Sequence, residues 1–396
     1  MAKFPLNFQN STYSRLWDSK EGPALMMQIL EDPNLIRANF TFWRTKFYID
    51  RNMTPTDTDG VATFRTELRG IEHGQLMDWR APLGDSYQSE KKGVSASTGV
   101  IPDFIARGFV EKATEREYRE EKYRANYGAD ASLIVDFAQE VQKMRDSFEQ
   151  TMSHLAAKVL SGGASAYNYG LGYKGTINDN PIPAGNFLKA GAVVWSAENC
   201  LLLDQMRAKE TYIREKVGLS DAPFIWEIPY DVFHNIVLKN AQVLDWIKNF
   251  RQVNDKPWLT TATEATESQF REAIAEFEGI SPIVIVSEKQ INQGVTTESI
   301  VSGWAENKVV FRPAGYAGPV KWTNPQDEKI YTKYGASDIA RVFARGDGGL
   351  WTVMNTTLNN GNLKEWHTDL FSSAVPTLDE WLYHFVIDIS TADDSE

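Results

Sequence analysis

The chain has 396 residues, more than the roughly 250–300 over which one hydrophobic core usually grows, so two or more lobes are expected. Its 42% hydrophobic and 24% charged residues are those of a folded globular protein, and 41 basic against 53 acidic residues leave a net charge of −12, which opposes a sequence-reading nucleic-acid binder. The single cysteine, Cys200, in the apolar helical run "AENCLLLDQ", excludes an internal disulfide and reads as a buried small hydrophobe, and no run of about 18 apolar residues crosses a membrane.

Residues 1–50 scatter Phe4, Phe8, Tyr13, Trp17, Phe40, Phe42, Trp43, Phe47 and Tyr48 among prolines, asparagines and charges. A short helix fits Gly22–Glu31, but no repeat builds a core. These aromatics need burial, so the segment reads as an arm laid on another surface. "TPTDTDG" (Thr54–Gly60) is a turn cluster. Residues 61–100 alternate weakly and carry charge throughout, including Arg65, Arg69, Arg80, Lys91 and Lys92. They predict a two-stranded excursion that rests on a neighbour, because an isolated hairpin is marginal in water. "GVIPDFIARGF" (Gly99–Phe109) is apolar again, and "EKATEREYREEKYRANYG" reads as a charged helix ending at Gly128.

A long helix over about 130–161 follows, capped by Asp130 or Ser132 and stopped by Gly162-Gly163. Its apolar stripe is Leu133, Phe137, Val141, Met144, Phe148, Met152, Leu155 and Val159, in steps of 4, 4, 3, 4, 4, 3, 4. The 11-residue period, about 3.67 per turn, is that of a nearly straight helix and not of a left-handed coiled coil. Such a helix spans about 45 Å and asks for an apolar surface on one side. Glu140, Lys143, Asp146, Glu149 and Lys158 read as its solvated side.

Beyond a Gly/Asn/Pro-rich passage, helices are predicted over Ser196–Val217, over Tyr230–Phe250, and after the capping box Thr266-x-x-Gln269. "PIVIVSE" (Pro282–Glu288) reads as a buried strand, giving an α/β lobe. From Ser299 the pattern is mainly β, with "AENK" and "RGDGG" as turns and a short acidic tail.

No chemistry-bearing motif stands out. The five histidines are dispersed, and HExxH and CxxC are absent. "GLGYKG" (Gly170–Gly175) matches GxGxxG, but Pro181 and Pro183 bar the helix that a dinucleotide site needs, so it reads as a turn. Acidic residues beside tryptophans (Glu227 with Trp226, Asp245 with Trp246, Asp379 and Glu380 with Trp381) read as surface charge beside aromatic packing. A carbohydrate-active enzyme or lectin would account for the 12 tryptophans, but leaves the long helix and the charged excursion without a role.

This order of parts, with "STGVIPDFIARGF", "NKVVFRPAGYAGPVKWT" and "LFSSAVPTLDEWLYHFVIDI", resembles the major capsid proteins of tailed bacteriophages, the Hong Kong 97-type fold. The resemblance implies an α+β chain with an N-terminal arm (1–50) and an extended β-hairpin loop (51–100). A peripheral domain with the spine helix (101–190) and an α/β axial domain (191–300) would follow, with late strands shared between the two (301–396). It implies self-assembly into hexamers and pentamers of an icosahedral or prolate shell around double-stranded DNA. A separate scaffolding protein, a portal and a decoration protein are the implied partners, with no enzyme activity, cofactor, metal or membrane. The place is the virion, assembled in a bacterial cytoplasm. Phe4, Phe8, Trp17, Phe40, Trp43, Arg65, Arg69, Arg80, Lys91 and Lys92 become candidates for inter-subunit contact. "NKVVFRPAGYAGPVKWT" would be a strand–turn–strand hairpin and "LFSSAVPTLDEWLYHFVIDI" a terminal strand. A Lys–Asn crosslink as in some relatives has candidates in Lys91 or Lys92, Asn355, Asn359 or Asn360, and Glu365, which no spacing singles out. An encapsulin shares the fold but is usually shorter and lacks such an arm.

Overall fold

The computed structural model of the chain describes residues 28, 41–56, 62–67, 96–112, 129–162, 167–168, 174–175, 182–218, 223–254, 263–277, 279–293, 298–325, 340–360, 363–379 and 381–393. A short helix α1 (Phe42–Lys46) runs straight into strand β1 (Phe47–Ile49). Strands β2 (Thr63–Glu67) and β3 (Ala96–Val100) pair antiparallel, Thr63 opposite Val100, so the predicted excursion leaves and returns as two paired strands. Strand β4 (Asp103–Lys112) follows; Glu111 and Lys112, expected to open a charged helix, belong to it, and the rest of that stretch lies outside the described residues. The Gly22–Glu31 helix also lies outside them, except Gln28, which is helical.

Helix α2 (Ala129–Gly162) has 34 residues, within a residue of the expected bounds at each end. Strands β5 (Tyr167–Asn168) and β6 (Lys174–Gly175) form a short pair. Next come β7 (Phe187–Lys189), α3 (Leu202–Val217), β8 (Phe224–Pro229), α4 (Tyr230–Asn235), α5 (Ala241–Val253), α6 (Glu267–Ile274) and β9 (Ile283–Val286). The chain ends in β10 (Gln290–Gln293), β11 (Glu298–Val301), β12 (Lys308–Pro313), β13 (Gly318–Thr323), β14 (Ala340–Gly346), β15 (Trp351–Asn360), β16 (Leu363–Pro376) and β17 (Phe385–Asp388). The class is α+β.

Two sheets organise these strands. The first runs β1-β13-β16-β15-β14, with β4 sharing β16's edge with β13; the second runs β7-β17-β12-β8-β9. The second sheet is covered on both faces. Val309, Phe311, Phe385 and Ile387 enter a core with the helices α3 to α6, while Val310 and Val386 enter the core that holds α2. Side chains alternate along a strand, so one strand feeds two cores.

In α2 the stripe residues Met144, Phe148, Met152, Leu155 and Val159 are buried; the side chains of Leu133, Phe137 and Val141 lie outside the described residues. The last turns depart from a one-sided helix, because Ser153, Ala156, Ala157, Leu160 and Ser161 are buried as well. Small side chains let other elements approach from several directions. At Gly303 a Cβ would lie 2.3 Å from the His154 carbonyl oxygen, so only glycine fits there.

Five expectations change. Helix α3 begins at Leu202, not Ser196, and Cys200 lies just before it, buried as expected. The Tyr230–Phe250 helix is broken at Asn240, whose extended backbone (ψ 133°) and side chain, accepting from the N–H groups of Gln242 and Val243, start a new helix. The capping box Thr266/Gln269 forms as read, whereas β9 is a half-buried edge strand. Finally, "NKVVFRPAGYAGPVKWT" is not a hairpin: β12 lies in the second sheet and β13 in the first. The turn between them is captured from both sides, with Ala314 N–H donating to Pro223 O and Ala317 N–H to Lys46 O. "LFSSAVPTLDEWLYHFVIDI" likewise divides between β16 and β17 in different sheets, and is not one strand.

Phe148→Ala is expected to cost about 3–5 kcal/mol in urea unfolding, and Phe148→Asp to leave no cooperative transition; a folded Phe148→Asp monomer would count against the role given to this stripe.

Candidate functional site

The notable polar chemistry of this chain is buried where α1, α2 and both sheets meet. Helix α1 has only five residues, and three of them reach buried carboxylates. Trp43, fully buried, donates its indole N–H to Glu149 Oε2 on α2 at 2.5 Å and packs edge-on to Phe148. Arg44 also binds Glu149, through Nε at 3.1 Å and through Nη2, and its Nη2 donates to Asp347 Oδ2 at 2.8 Å in the β14–β15 turn. Lys46 points the other way and donates to Glu227 Oε1 on β8 at 2.6 Å.

Glu227 has no exposed surface. Arg312 of β12 completes its shell, donating from Nε to Oε2 at 3.1 Å and from Nη2 to Oε1 at 2.9 Å. Burial opposes the charge of this carboxylate, but Arg312 and Lys46 outweigh burial and hold it at about 2. For Arg44, burial likewise disfavours the charge, and Glu149 and Asp347 overcome it, so its pKa is raised. His384 sits beside this group. Its Nε2 donates to Leu160 O near the end of α2 at 2.6 Å, and burial, aided by Arg312 and opposed by that bond and by Glu227, pushes the imidazole down to about 4.

Two further contacts fix the same region. Glu288 accepts from Ser302 Oγ, from Gly303 N–H at 3.1 Å and from Trp304 N–H at 3.2 Å, closing the base of the β10–β11 hairpin. Ala305 N–H then donates to Ser161 Oγ on α2 at 2.7 Å. The turn at Asp347 has φ 51°, and at Gly346 a Cβ would meet the Trp351 ring at 1.8 Å, so glycine is required there. This arrangement holds elements in place. Among the described residues, no three His, Cys, Asp or Glu side chains are grouped to bind a metal, and no helix is long and apolar enough to cross a membrane.

Of the contact candidates, Phe4, Phe8, Trp17, Phe40, Arg69, Arg80, Lys91 and Lys92 lie outside the described residues; Arg65 is placed on β2 by its backbone alone. Trp43 is spent on the chain's own core, because its indole completes Glu149. Asn355, Asn359 and Asn360 lie on β15, where Asn360 is opposite Leu363 of β16 and Leu358 is opposite Glu365 of β16. Sequence reasoning took Glu149 and Glu227 for solvated charge. A signal was present for Glu227: "FIWEIP" and "VVFRP" each hold one charge, of opposite sign, inside an apolar strand.

No family model and no curated protein matches the chain. Solved structures do match along most of its length. The chain is similar to phage-related and phage capsid proteins. One is a phage-related protein from Bordetella bronchiseptica RB50, at 10% identity over 93% of this chain and 97% of that one, TM-score 0.48. Another is a protein assigned to a prophage capsid of Escherichia coli CFT073, at 12% identity over 92% and 98%, TM-score 0.47. A third belongs to the capsid of cyanophage A-1(L), at 11% identity over 91% and 94%, TM-score 0.44.

Glu227→Gln leaves Lys46 and Arg312 facing a neutral amide and is expected to cost about 3–5 kcal/mol in urea unfolding. Acid acts in two windows. Unfolded chains protonate His384 near 6.5 and the folded chain only near 4, so the unfolded state binds more protons between them and stability falls with pH over that range, by up to about 1.4 kcal/mol per unit. The contribution of Glu227 is present above about 4.5 and lost as pH falls through about 2. His384→Gln keeps a donor for Leu160 O and should shrink the first window without touching the second, leaving there the part owed to His154, whose imidazole burial and Lys158 also push down against Glu288, read from urea melts of unassembled subunits between pH 7 and 4.

Proposed function

We propose that this chain is a major capsid protein of a tailed bacteriophage, built on the Hong Kong 97-type plan, whose work is self-assembly into the head shell. The observation that carries this reading is α2. Its 34 residues make a rod of about 50 Å, longer than a compact core of this size needs, and one stretch of it is gripped by α1, β12 and the first sheet together. A rod of that kind holds two lobes side by side in a thin wall. The β2–β3 pair fits the same reading: Ala62, Phe64 and Ile101 root its base in the chain's own core, and the excursion beyond it would rest on a neighbour.

Under this reading residues 51–100 form the extended loop, 101–190 the spine and peripheral part, 191–300 the axial domain, and 301–396 strands shared between them. The arm is residues 1–41, since Phe42–Ile49 are built into the core. Hexamers and pentamers close the shell through symmetric interfaces. Tyr48, Ile105, Tyr316 and Ile300 are exposed large side chains suited to such contacts. Scaffolding protein, portal and decoration protein are the partners during and after assembly in the bacterial cytoplasm. A net charge of −12 lets the wall enclose DNA without gripping it. The chain acts as a structural protein with no catalytic role.

Expressed in a bacterium, alone and with a co-expressed scaffolding protein, the chain is expected to give closed or open shells by electron microscopy; a monodisperse monomer under both conditions would refute the proposal. Removing residues 1–40 should abolish closed shells and leave a cooperatively melting subunit, whereas removing residues 1–50 takes Trp43, Arg44, Lys46 and β1 and should unfold it. Normal particles from the shorter deletion would overturn the role of the arm.

A further inference from the structure

Strand β9 ends the second sheet, with β8 on one side and, among the described residues, no strand on the other. Trp226 N–H donates to Pro282 O at 2.9 Å. Bonding direction alternates along a strand, so the N–H and C=O groups of Ile283 and Ile285 face outward. The side chains of the same two residues line an apolar cavity of about 330 Å³ with Phe233, Phe270, Ile274 and Phe277. Its rim residues Arg271, Ala275 and Pro282 are exposed, so it opens to the surface. An open edge beside an apolar hole invites edge-to-edge association, and native chains cover such edges.

The sequence and topology name a cover. Residues 1–40 precede α1, and 40 residues extend to about 130 Å at most. They lead into α1 close to this edge: Lys46 bonds Glu227 on β8, and the partner of Glu227 on β9 is Val284. Within "MAKFPLNFQN", Phe4, Leu6 and Phe8 alternate with Pro5 and Asn7, the pattern of a strand with one apolar face. Proline fits an edge strand where its missing N–H faces solvent. In the register where Phe4, Leu6 and Phe8 bond β9, Pro5 faces away from it. Charge agrees as well. Residues 1–17 hold Lys3 and Arg15 and no acidic residue, while α6 and the turn after it carry Glu267, ion-paired to Arg271, Glu272, ion-paired to Arg251, and Glu276, a small acidic excess.

We propose that in the unassembled subunit the chain's own Phe4–Phe8 segment adds to β9 as an outer strand and seats its aromatic side chains in this cavity. The inference rests on the shell reading, since it makes the arm parked on its own subunit until a neighbouring copy takes it. It also protects the edge before assembly.

The test uses dilute, unassembled full-length subunit. Leu6→Cys with Ala275→Cys should form an intrachain disulfide in most molecules on mild oxidation. Interchain dimers would assign the cavity to a second copy and overturn the proposal, as would no crosslink at all. Amide exchange at Ile283–Val286 should be at least ten-fold faster in the chain lacking residues 1–40 and in the Phe4→Asp/Phe8→Asp variant, with Val309–Phe311 unchanged as the check on folding; equal rates at β9 would overturn it. Shells are scored separately by electron microscopy, so a subunit that fails both tests yet assembles refutes the parking alone.

Discussion

A carboxylate with no contact to water governs this structure. Glu227 sits on a central strand, and an unpaired charge there would cost several kcal/mol. It is answered by Lys46, which lies 181 residues earlier, and by Arg312, 85 residues later. Neither partner is close in sequence, so the charge is satisfied only when the start of the core, the second sheet and the strand leading out of it have all arrived. A well-packed apolar group would be as stable or more so. What the ionic group adds is specificity of arrangement: wrong registers of β8 against β12 leave a buried charge exposed to no partner.

The same short helix makes that constraint reach the rod. Trp43 and Arg44 bind Glu149 on α2 while Lys46 binds Glu227 on β8, so one turn of helix joins α2 to the second sheet. Arg44 carries the connection on to Asp347 and hence to the first sheet. His384 and Leu160 add a second tie at the far end of α2. The two sheets therefore keep one relation to the rod. Under the proposed shell reading that relation would set the angle at which each copy meets the next, and the buried network would bear on assembly.

The strands of the second sheet differ in their neighbours. β12 and β17 have neighbours on both sides and feed two cores, whereas β9 ends its sheet with, among the described residues, no strand on its other side. Under the proposed shell reading, a subunit that stays separate and later joins many others needs edges that are closed first and available afterwards.

How much of this was legible depended on range. Within one element the residues decide alone. The 4-4-3 steps and the glycines after Ser161 fixed α2, Thr266 and Gln269 fixed the start of α6, and "RGDGG" fixed the turn between β14 and β15. Helix bonding and turn geometry are set by neighbours a few residues away, so such signals survive in the sequence. The candidate site was almost invisible, because Glu149 reads as solvated helix charge and Trp43 as an arm aromatic until each is seen to complete the other. Which strand joins which sheet was also undecided. β12, Pro313, Gly315 and β13 look like a hairpin by local rules, and only the capture of the turn by Pro223 and Lys46 separates the strands. Sequence determined the elements, since their hydrogen bonds are local; tertiary structure decided how the sheets assemble and how the buried charges are met, since both depend on partners far along the chain, as Arg312 and Lys46 lie 85 and 181 residues from Glu227.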